Sequence, residues 1–358
     1  MKILFIISDL EGGGTQKVIS QIANYLAKRK DHVTICTLEK TKEKFELDNK
    51  ISRIRINSCI KKFPFSSIIL NLIKIKNLNN VLRKNEFDII ISFIHTTNVI
   101  SIISSIFTKR KVIISERNDY EAQSLPFFWK ILRRITYNFA LCLTANSIKT
   151  KNILKKKFDK EVFLLPNPVF LPEKVNRKKR EKIVLSIGRL VDQKNYYLLL
   201  DSFKDFVKSF NEWIFVIIGE GYEYNFIKKR IKELNLDQKI FLKKFCNPTK
   251  YYQTSSFFVH GSRFEGTPNV LLESMAHGLP IITSNYNGVC EIINNKKTGL
   301  IFDLDKQNDL LAKMKILAKC KKKRNYLSQN ANQFINNYSI DSVGKIWRQL
   351  FKRKLTQC

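Results

Sequence analysis

Short, nearly unbroken apolar runs alternate along this chain with stretches whose apolar residues recur every three or four positions. Residues 3–8 form one such run. After Gly12-Gly13-Gly14, the residues Val18, Ile19, Ile22, Ala23, Leu26 and Ala27 repeat with helical period. An unbroken run of that length fits a strand covered on both faces, and the 3.6-residue period fits a helix laid on a sheet. The alternation predicts further strands over 32–38, 88–93, 111–115 and 141–144, and helices over 99–107, 127–139 and 147–157. Pro166-Asn167-Pro168 and a polar, basic stretch to Lys182 interrupt it. A second series predicts strands over 183–187, 214–218, 240–242, 257–260 and 280–283, with helices over 198–210, 225–234 and 269–277. A last amphipathic stretch covers 342–355. Repeated β and α units indicate doubly wound parallel sheets. The expected organisation is a Rossmann-like domain over 1–167, a linker over 168–182, a second Rossmann-like domain over 183–340, and a helix over 341–358 crossing back to the first. Two such domains would place a ligand cleft between the carboxyl ends of their sheets.

Composition changes this picture in two ways. The formal charge is +33, from 64 Lys and Arg against 31 Asp and Glu. Such a balance suits nucleic acid, an anionic membrane or phosphorylated substrates. An AT-rich coding sequence, which enriches Lys, Ile, Asn and Phe together, is the competing explanation. Short basic clusters occur at 155–157, 177–180 and 321–324, with no nucleic-acid-binding motif beside them. The seven cysteines form no C-x-x-C pair and are odd in number, which points to a reducing compartment and away from a structural metal site. The apolar run at 3–8 is too short for a signal-peptide core. The longest apolar stretch, 89–107, is broken by His95, Thr96, Thr97, Asn98 and several serines, so it reads as strand, loop and helix rather than a membrane span.

The densest candidate chemistry lies in Arg263-Phe-Glu-Gly-Thr-Pro-Asn-Val-Leu-Leu-Glu273, closed by Gly278 and Pro280. Pro268 suits a first helical position, which leaves the amides of Asn269, Val270 and Leu271 at a helix start that favours phosphate. Glu265 and Glu273 flank that start and suit hydroxyls such as those of a sugar. Gly12-Gly13-Gly14, between a strand and a helix, permits close approach of backbone amides to a phosphate, with a plain tight turn as the other reading. It is neither a dinucleotide fingerprint nor a Walker loop. Arg189 and Lys194 follow the strand that ends at Gly188, where a guanidinium can grip a diphosphate through paired N–H bonds and an ammonium adds a mobile charge. Gly219-Glu220-Gly221 ends another strand. Asp303-Leu-Asp305 resembles a metal-binding pair but stands apart from these elements. His95 and the run Ser115-Glu116-Arg117-Asn118 lie at strand ends of the first domain and are candidates for an acceptor side. Residues 127–134 set bulky apolar groups beside three cations, fitting either an anionic bilayer or a packed helix with a basic face.

Together these pieces resemble glycosyltransferase family 4, the retaining enzymes of GT-B fold. The likeness rests on the early glycine loop, Gly188-Arg-Leu with Gln193-Lys194, Gly219-Glu-Gly221, Phe264 through Glu273, and Gly299-Leu-Ile-Phe. Ile91 through Asn98 and Ser115 through Asn118 look like bacterial enzymes of the N-acetylgalactosaminyltransferase kind, which extend undecaprenyl-diphosphate-linked glycans. The resemblance implies an α/β GT-B architecture of two Rossmann-like domains facing a central cleft. It implies that Arg189 and Lys194 neutralise the donor diphosphate, Glu265 holds donor-sugar hydroxyls and Glu273 the ribose. Gly188, Gly219 and the amides of Asn269, Val270 and Leu271 would complete the donor site, with Gly13 and Gly14 closing from the other domain. No metal or other cofactor is required in that scheme. Lys243 stands where relatives often have glycine near the base, which leaves UDP or GDP open. The implied activity is transfer of a hexose or N-acetylhexosamine from a nucleotide sugar to a lipid-diphosphate-linked saccharide in surface polysaccharide assembly. The implied setting is the cytoplasmic face of the inner membrane, with an anionic membrane surface as partner and no nucleic acid. Two rivals remain at this point: a UDP-sugar 2-epimerase or hydrolase of the same fold, and a basic nucleic-acid-binding protein.

Overall fold

The computed structural model describes residues 1–56, 66–108, 110–173, 180–286 and 288–356. Cys59, Cys358, residues 177–179 of one basic cluster and 174–179 of the expected linker lie outside them. The chain divides into two compact units, Met1–Pro168 with Ile340–Cys358, and Val169–Ser339.

In the first unit, seven strands, β1 (Lys2–Ile7), β2 (His32–Thr37), β3 (Ser52–Arg55), β4 (Ile89–Phe93), β5 (Ile113–Glu116), β6 (Cys142–Ala145) and β7 (Val162–Leu164), form one sheet in the order β3-β2-β1-β4-β5-β6-β7. All its pairings are parallel, with Phe5 opposite both Ile35 and Ile91. Ile3 to Ile7 are wholly buried because helices cover both faces, which is why β1 shows no polar alternation. The helices are α1 (Gly14–Lys28), α2 (Ser66–Lys84), α3 (His95–Ser105), α4 (Phe127–Thr136) and α5 (Ile148–Lys157). The strand order reverses direction between β1 and β4, and the glycine loop and His95 follow the carboxyl ends of these two strands. Gly13 caps α1 at φ 132°, a conformation that L side chains rarely adopt.

The second unit holds a six-stranded parallel sheet of β8 (Ile183–Ile187), β9 (Ile214–Ile218), β10 (Ile240–Lys243), β11 (Phe257–His260), β12 (Ile281–Ser284) and β13 (Leu300–Phe302), ordered β10-β9-β8-β11-β12-β13. Its helices are α6 (Tyr196–Val207), α7 (Tyr224–Glu233), α8 (Thr249–Thr254), α9 (Asn269–Ala276), α10 (Asp309–Lys319) and α11 (Lys321–Ile335). Because β8 pairs with β11, the loops that leave these two strands are neighbours although about seventy residues separate them.

The final helix, α12 (Ile340–Leu355), belongs to the first unit. Trp347 stacks on Phe93 at 6.0 Å and meets Phe5 edge-on at 6.2 Å. Arg348 and the N-terminal amine each lie 3.1 Å from the buried Asp31 carboxylate.

Arg180, near the end of the stretch read as a linker, packs into the second unit. Its guanidinium is half-buried in the second unit and donates to the carbonyls of Tyr252, Ser255, His277 and Gly278 at 2.7–3.0 Å. It thereby ties the end of α8 to the end of α9.

Candidate functional site

The loops after β8 and β11 are joined at several points. The Arg263 amide donates to the Gln193 carbonyl at 2.9 Å, and the Gln193 side-chain amide returns a bond to the Phe264 carbonyl at 2.7 Å. Asn195 sits at φ 54°, which turns the chain from the short 3₁₀ segment Asp192–Lys194 into α6. The result places Lys194 Nζ directly against Glu265 Oε1. Both side chains are largely buried, with 13% and 12% of their surface exposed.

Around that pair the sheet supplies further groups. Ser262 Oγ donates to Glu265 Oε1 at 2.9 Å and lies 3.0 Å from His260 Nε2. His260 Nε2 is 3.7 Å from the same carboxylate oxygen, and its Nδ1 is 3.3 Å from Thr283 Oγ1. Burial by itself would raise the Glu265 carboxyl, but the Lys194 ammonium and then His260 outweigh it and hold the group well below the usual carboxylate range. Burial also lowers His260, more than the Glu265 charge raises it, so the imidazole is neutral near pH 7. The site therefore contains an ionised carboxylate fixed by a lysine, a serine and a neutral histidine.

The glycines predicted for this site are explained by packing. A Cβ on Gly219 would stand 1.9 Å from the Gly188 carbonyl oxygen, so only glycine allows the β8 and β9 loops this approach. Gly188 in turn faces the Lys194 stem, its Cβ position 3.6 Å from Cε, and its carbonyl accepts from Tyr196 Oη at 3.3 Å.

Other predicted residues are placed differently. Arg189 is exposed and forms no ion pair among the described residues, so its guanidinium is not joined to the Lys194–Glu265 pair. Pro268 is the cap of α9 rather than its first helical residue, at ψ 120°. The Leu271 amide is already taken by the Pro268 carbonyl at 3.2 Å, which corrects its assignment as a phosphate donor. Asn269 and Val270 stand in the same turn. Glu273 accepts from Tyr252 Oη at 3.0 Å.

In the first unit, Gly13 and Gly14 form the start of α1, with Gln16 and the Glu11 amide held by Asp9 at 3.3 and 3.0 Å. His95 begins α3, four residues earlier than the sequence pattern indicates, and Gln123 Nε2 lies 3.1 Å from its Nδ1. Burial, aided by the Arg133 charge, lowers its imidazole to about 4. Ile94 before it adopts φ 72°, rare for a β-branched residue, and this turn aims the start of α3. Glu116 does not line an acceptor surface. It is buried, receives the Tyr137 hydroxyl, and is pushed up by desolvation. Arg117 likewise turns inward: it donates to the Leu165 carbonyl at 2.6 Å and lies 4.9 Å over the Trp347 ring. Asn118 is half-buried and its Oδ1 accepts from the Asp119 amide at 3.0 Å.

Sequence reasoning missed His260 and Ser262. The available signal was their position at and just past the carboxyl end of β11, a few residues before Glu265. Among the described residues, no group of three or more His, Cys, Asp or Glu is arranged to hold a metal ion, and no helix is long and apolar enough to cross a membrane.

Comparison with known proteins agrees with this architecture. Residues 12–171 match the family described as Glycosyltransferase Family 4, and residues 170–334 match Glycosyl transferases group 1. A Campylobacter jejuni α-1,4-N-acetyl-D-galactosaminyltransferase, named for a GalNAc-containing, undecaprenol-diphosphate-linked substrate, is 29% identical over 98% of both chains. An amylovoran biosynthesis glycosyltransferase of Erwinia amylovora is 26% identical over 98% of this chain and 99% of its own. Among solved structures, a sucrose-phosphate synthase from Thermosynechococcus elongatus superposes with a TM-score of 0.87 over 99% of each chain at 16% identity. The Anabaena protein HepE, in complex with UDP and glucose, gives 0.82 at 15% identity over 98% of this chain and 99% of its own. These two likenesses establish a shared fold, the GT-B pair of Rossmann-like domains.

Proposed function

This chain belongs to the glycosyltransferases of family 4 and group 1, whose two domain types it carries in order, and we propose that it moves a hexose or N-acetylhexosamine from a UDP-sugar to a lipid-diphosphate-linked saccharide. The observation that carries the chemistry is the buried, ionised Glu265 held by Lys194 at the carboxyl ends of β8 and β11. An ionised carboxylate only accepts hydrogen bonds, so it suits the hydroxyls of a sugar better than a phosphate. Arg189, exposed at the same strand end, supplies the guanidinium for the donor diphosphate, and the Val270 amide adds a donor at the start of α9. The name of the Campylobacter jejuni relative supports an undecaprenol-diphosphate-linked acceptor, and the UDP and glucose of the HepE complex support a UDP-sugar donor.

Two finer points belong to the same proposal. Transfer retains the anomeric configuration, and it runs without a metal because cations and backbone amides neutralise the leaving diphosphate. The test offers a panel of UDP- and GDP-sugars with short lipid-diphosphate acceptors and reads products by mass spectrometry. A product one sugar heavier, formed in the presence of a chelator and with retained configuration by NMR, is expected. Donor consumption without such a product would favour an epimerase or hydrolase instead.

A further inference from the structure

The helices α2 to α5 cover one face of the first unit's sheet. Leu82 of α2, Ile102 of α3 and Leu154 of α5 share a core with Ile6, Ile114 and Leu143, and Trp129 of α4 packs against it. Within this layer α4 reverses the usual polarity of a surface helix. Its buried residues are Arg133 and Thr136, with the Arg133 guanidinium 3.6 Å from the centre of the Tyr120 ring and bonded to the Tyr120 carbonyl at 3.1 Å. Its largest apolar groups face outward: Phe127 is 78% exposed, Phe128 63%, Ile131 41% and Ile135 54%. At the helical repeat these four fall on one stripe about 100° wide, with Lys130 and Arg134 beside it. On α2, Ile68, Ile69 and Leu72 are also exposed. The two helices border one cavity of about 160 Å³, lined by Asn71 and Lys74 of α2, Trp129 of α4, and Thr96, Thr97 and Ser8.

The charge carried by these helices is of one sign, and Glu39, which also lines the cavity, is paired with Lys74 of α2. Lys and Arg number four on α2, three on α4 and five on α5, and the helices α2 to α5 contain no Asp or Glu. A lysine-rich composition accounts for the cations but not for the exclusion of acids from one layer while 31 occur in the chain. Exposed aromatic groups rimmed by cations match the interface of an anionic bilayer, where rings enter the acyl boundary and cations meet phosphate headgroups. A second copy is the poorer occupant, because a two-fold contact would set like charges against each other.

We propose that α4, with the exposed start of α2, docks the first unit on an anionic lipid surface. On the functional reading above, this would place the cavity beside Trp129 next to the membrane that carries the acceptor, but the docking itself does not rest on that reading.

The test is co-flotation of the full chain with vesicles of phosphatidylcholine, with and without phosphatidylglycerol. The chain is expected to float with the anionic vesicles and to be released by salt. Phe127→Ser/Phe128→Ser/Ile131→Ser should lower partitioning about tenfold for each side chain removed, since the lost burial is of that size. Lys130→Glu/Arg134→Glu, which keeps the apolar stripe, should abolish the preference for anionic vesicles. The control Tyr222→Ser/Phe226→Ser removes groups 71% and 63% exposed in the second unit and should leave flotation unchanged. Absence of flotation, equal loss in the control, or a triple variant that floats like the parent would overturn the proposal. So would a vesicle-indifferent chain whose dimer, seen by sedimentation, dissociates in the triple variant. Transfer to a short, water-soluble acceptor reports on the functional reading separately.

Discussion

Replacing Lys194 by methionine would leave the Glu265 carboxylate in its largely buried position without its cation. The two side chains expose only 13% and 12% of their surface, so solvent screening does little for the uncompensated charge. Breaking a buried pair from one side costs about 3–5 kcal/mol, whereas replacing both partners with neutral groups of similar size is often close to neutral. The prediction is therefore non-additive. Lys194→Met should destabilise the second unit by about 3–5 kcal/mol, and Lys194→Met/Glu265→Gln should recover most of it, because Ser262 and His260 can still bond a carboxamide. Transfer activity should not recover with stability. Glu265→Gln removes an ionised acceptor, and loss of one such transition-state contact lowers turnover about 10²- to 10³-fold. Stability is read by urea-dependent hydrogen exchange on peptides from Val169–Ser339, and activity by product mass spectrometry. A double variant as unstable as Lys194→Met, or one that transfers sugar at the parent rate, would refute the coupling argued from this geometry.

Three further outcomes follow from individual side chains. Arg189→Ala should change stability by no more than about 0.5 kcal/mol, since the side chain is exposed and forms no ion pair among the described residues, but should weaken UDP binding about ten- to a hundredfold by calorimetry. Arg180→Ala should destabilise the second unit by about 3–5 kcal/mol in urea, because four carbonyls lose a shared cation, and Arg180→Lys should restore only part of this. The unfolded chain protonates His95 below about pH 6.5 while the folded chain resists until about 4, so the first unit should lose stability as pH falls through that window. The loss should be roughly 2 kcal/mol after allowance for partial exposure, and His95→Gln should flatten that part of a urea-midpoint profile against pH.

Much of the fold is visible in the chain because buried parallel strands leave unbroken apolar runs. β1, β8 and β9 are of this kind, and each is read within a residue or two. The helix α2 and the strand β3 escaped for a physical reason. The apolar residues of α2, Ile68, Ile69, Leu70, Leu72, Ile73, Ile75, Leu78, Val81 and Leu82, are scattered around the helix instead of forming one stripe, and three of the four residues of Ser52–Arg55 are polar. The start of α3 was misplaced because Ile94 turns the chain in a left-handed conformation that glycine, not a β-branched residue, would signal. For the site, local motifs marked Glu265, Lys194 and the glycines, but nothing local says that Lys194 touches Glu265. That contact depends on β8 pairing with β11 across two intervening strands. Glu116 and Arg117 looked like surface ligands because strand ends usually carry them. Their partners, Tyr137 and Trp347, come from elsewhere in the fold.

The Lys194–Glu265 contact also changes how the two roles drawn from the sequence divide. A lysine already engaged by a carboxylate has part of its charge neutralised before any donor arrives. A diphosphate bound there would meet an ion pair, not a free cation, and the negative Glu265 would oppose it. On the proposed reading, Lys194 therefore serves first to keep Glu265 ionised for sugar hydroxyls. The exposed Arg189 is left as the main source of diphosphate affinity. The two variants should then separate kinetically: Arg189→Ala raises KM for the donor more than it lowers kcat, whereas Lys194→Met lowers kcat at saturating donor. Equal effects of both variants on KM, with kcat untouched, would return Lys194 to the diphosphate and refute this division.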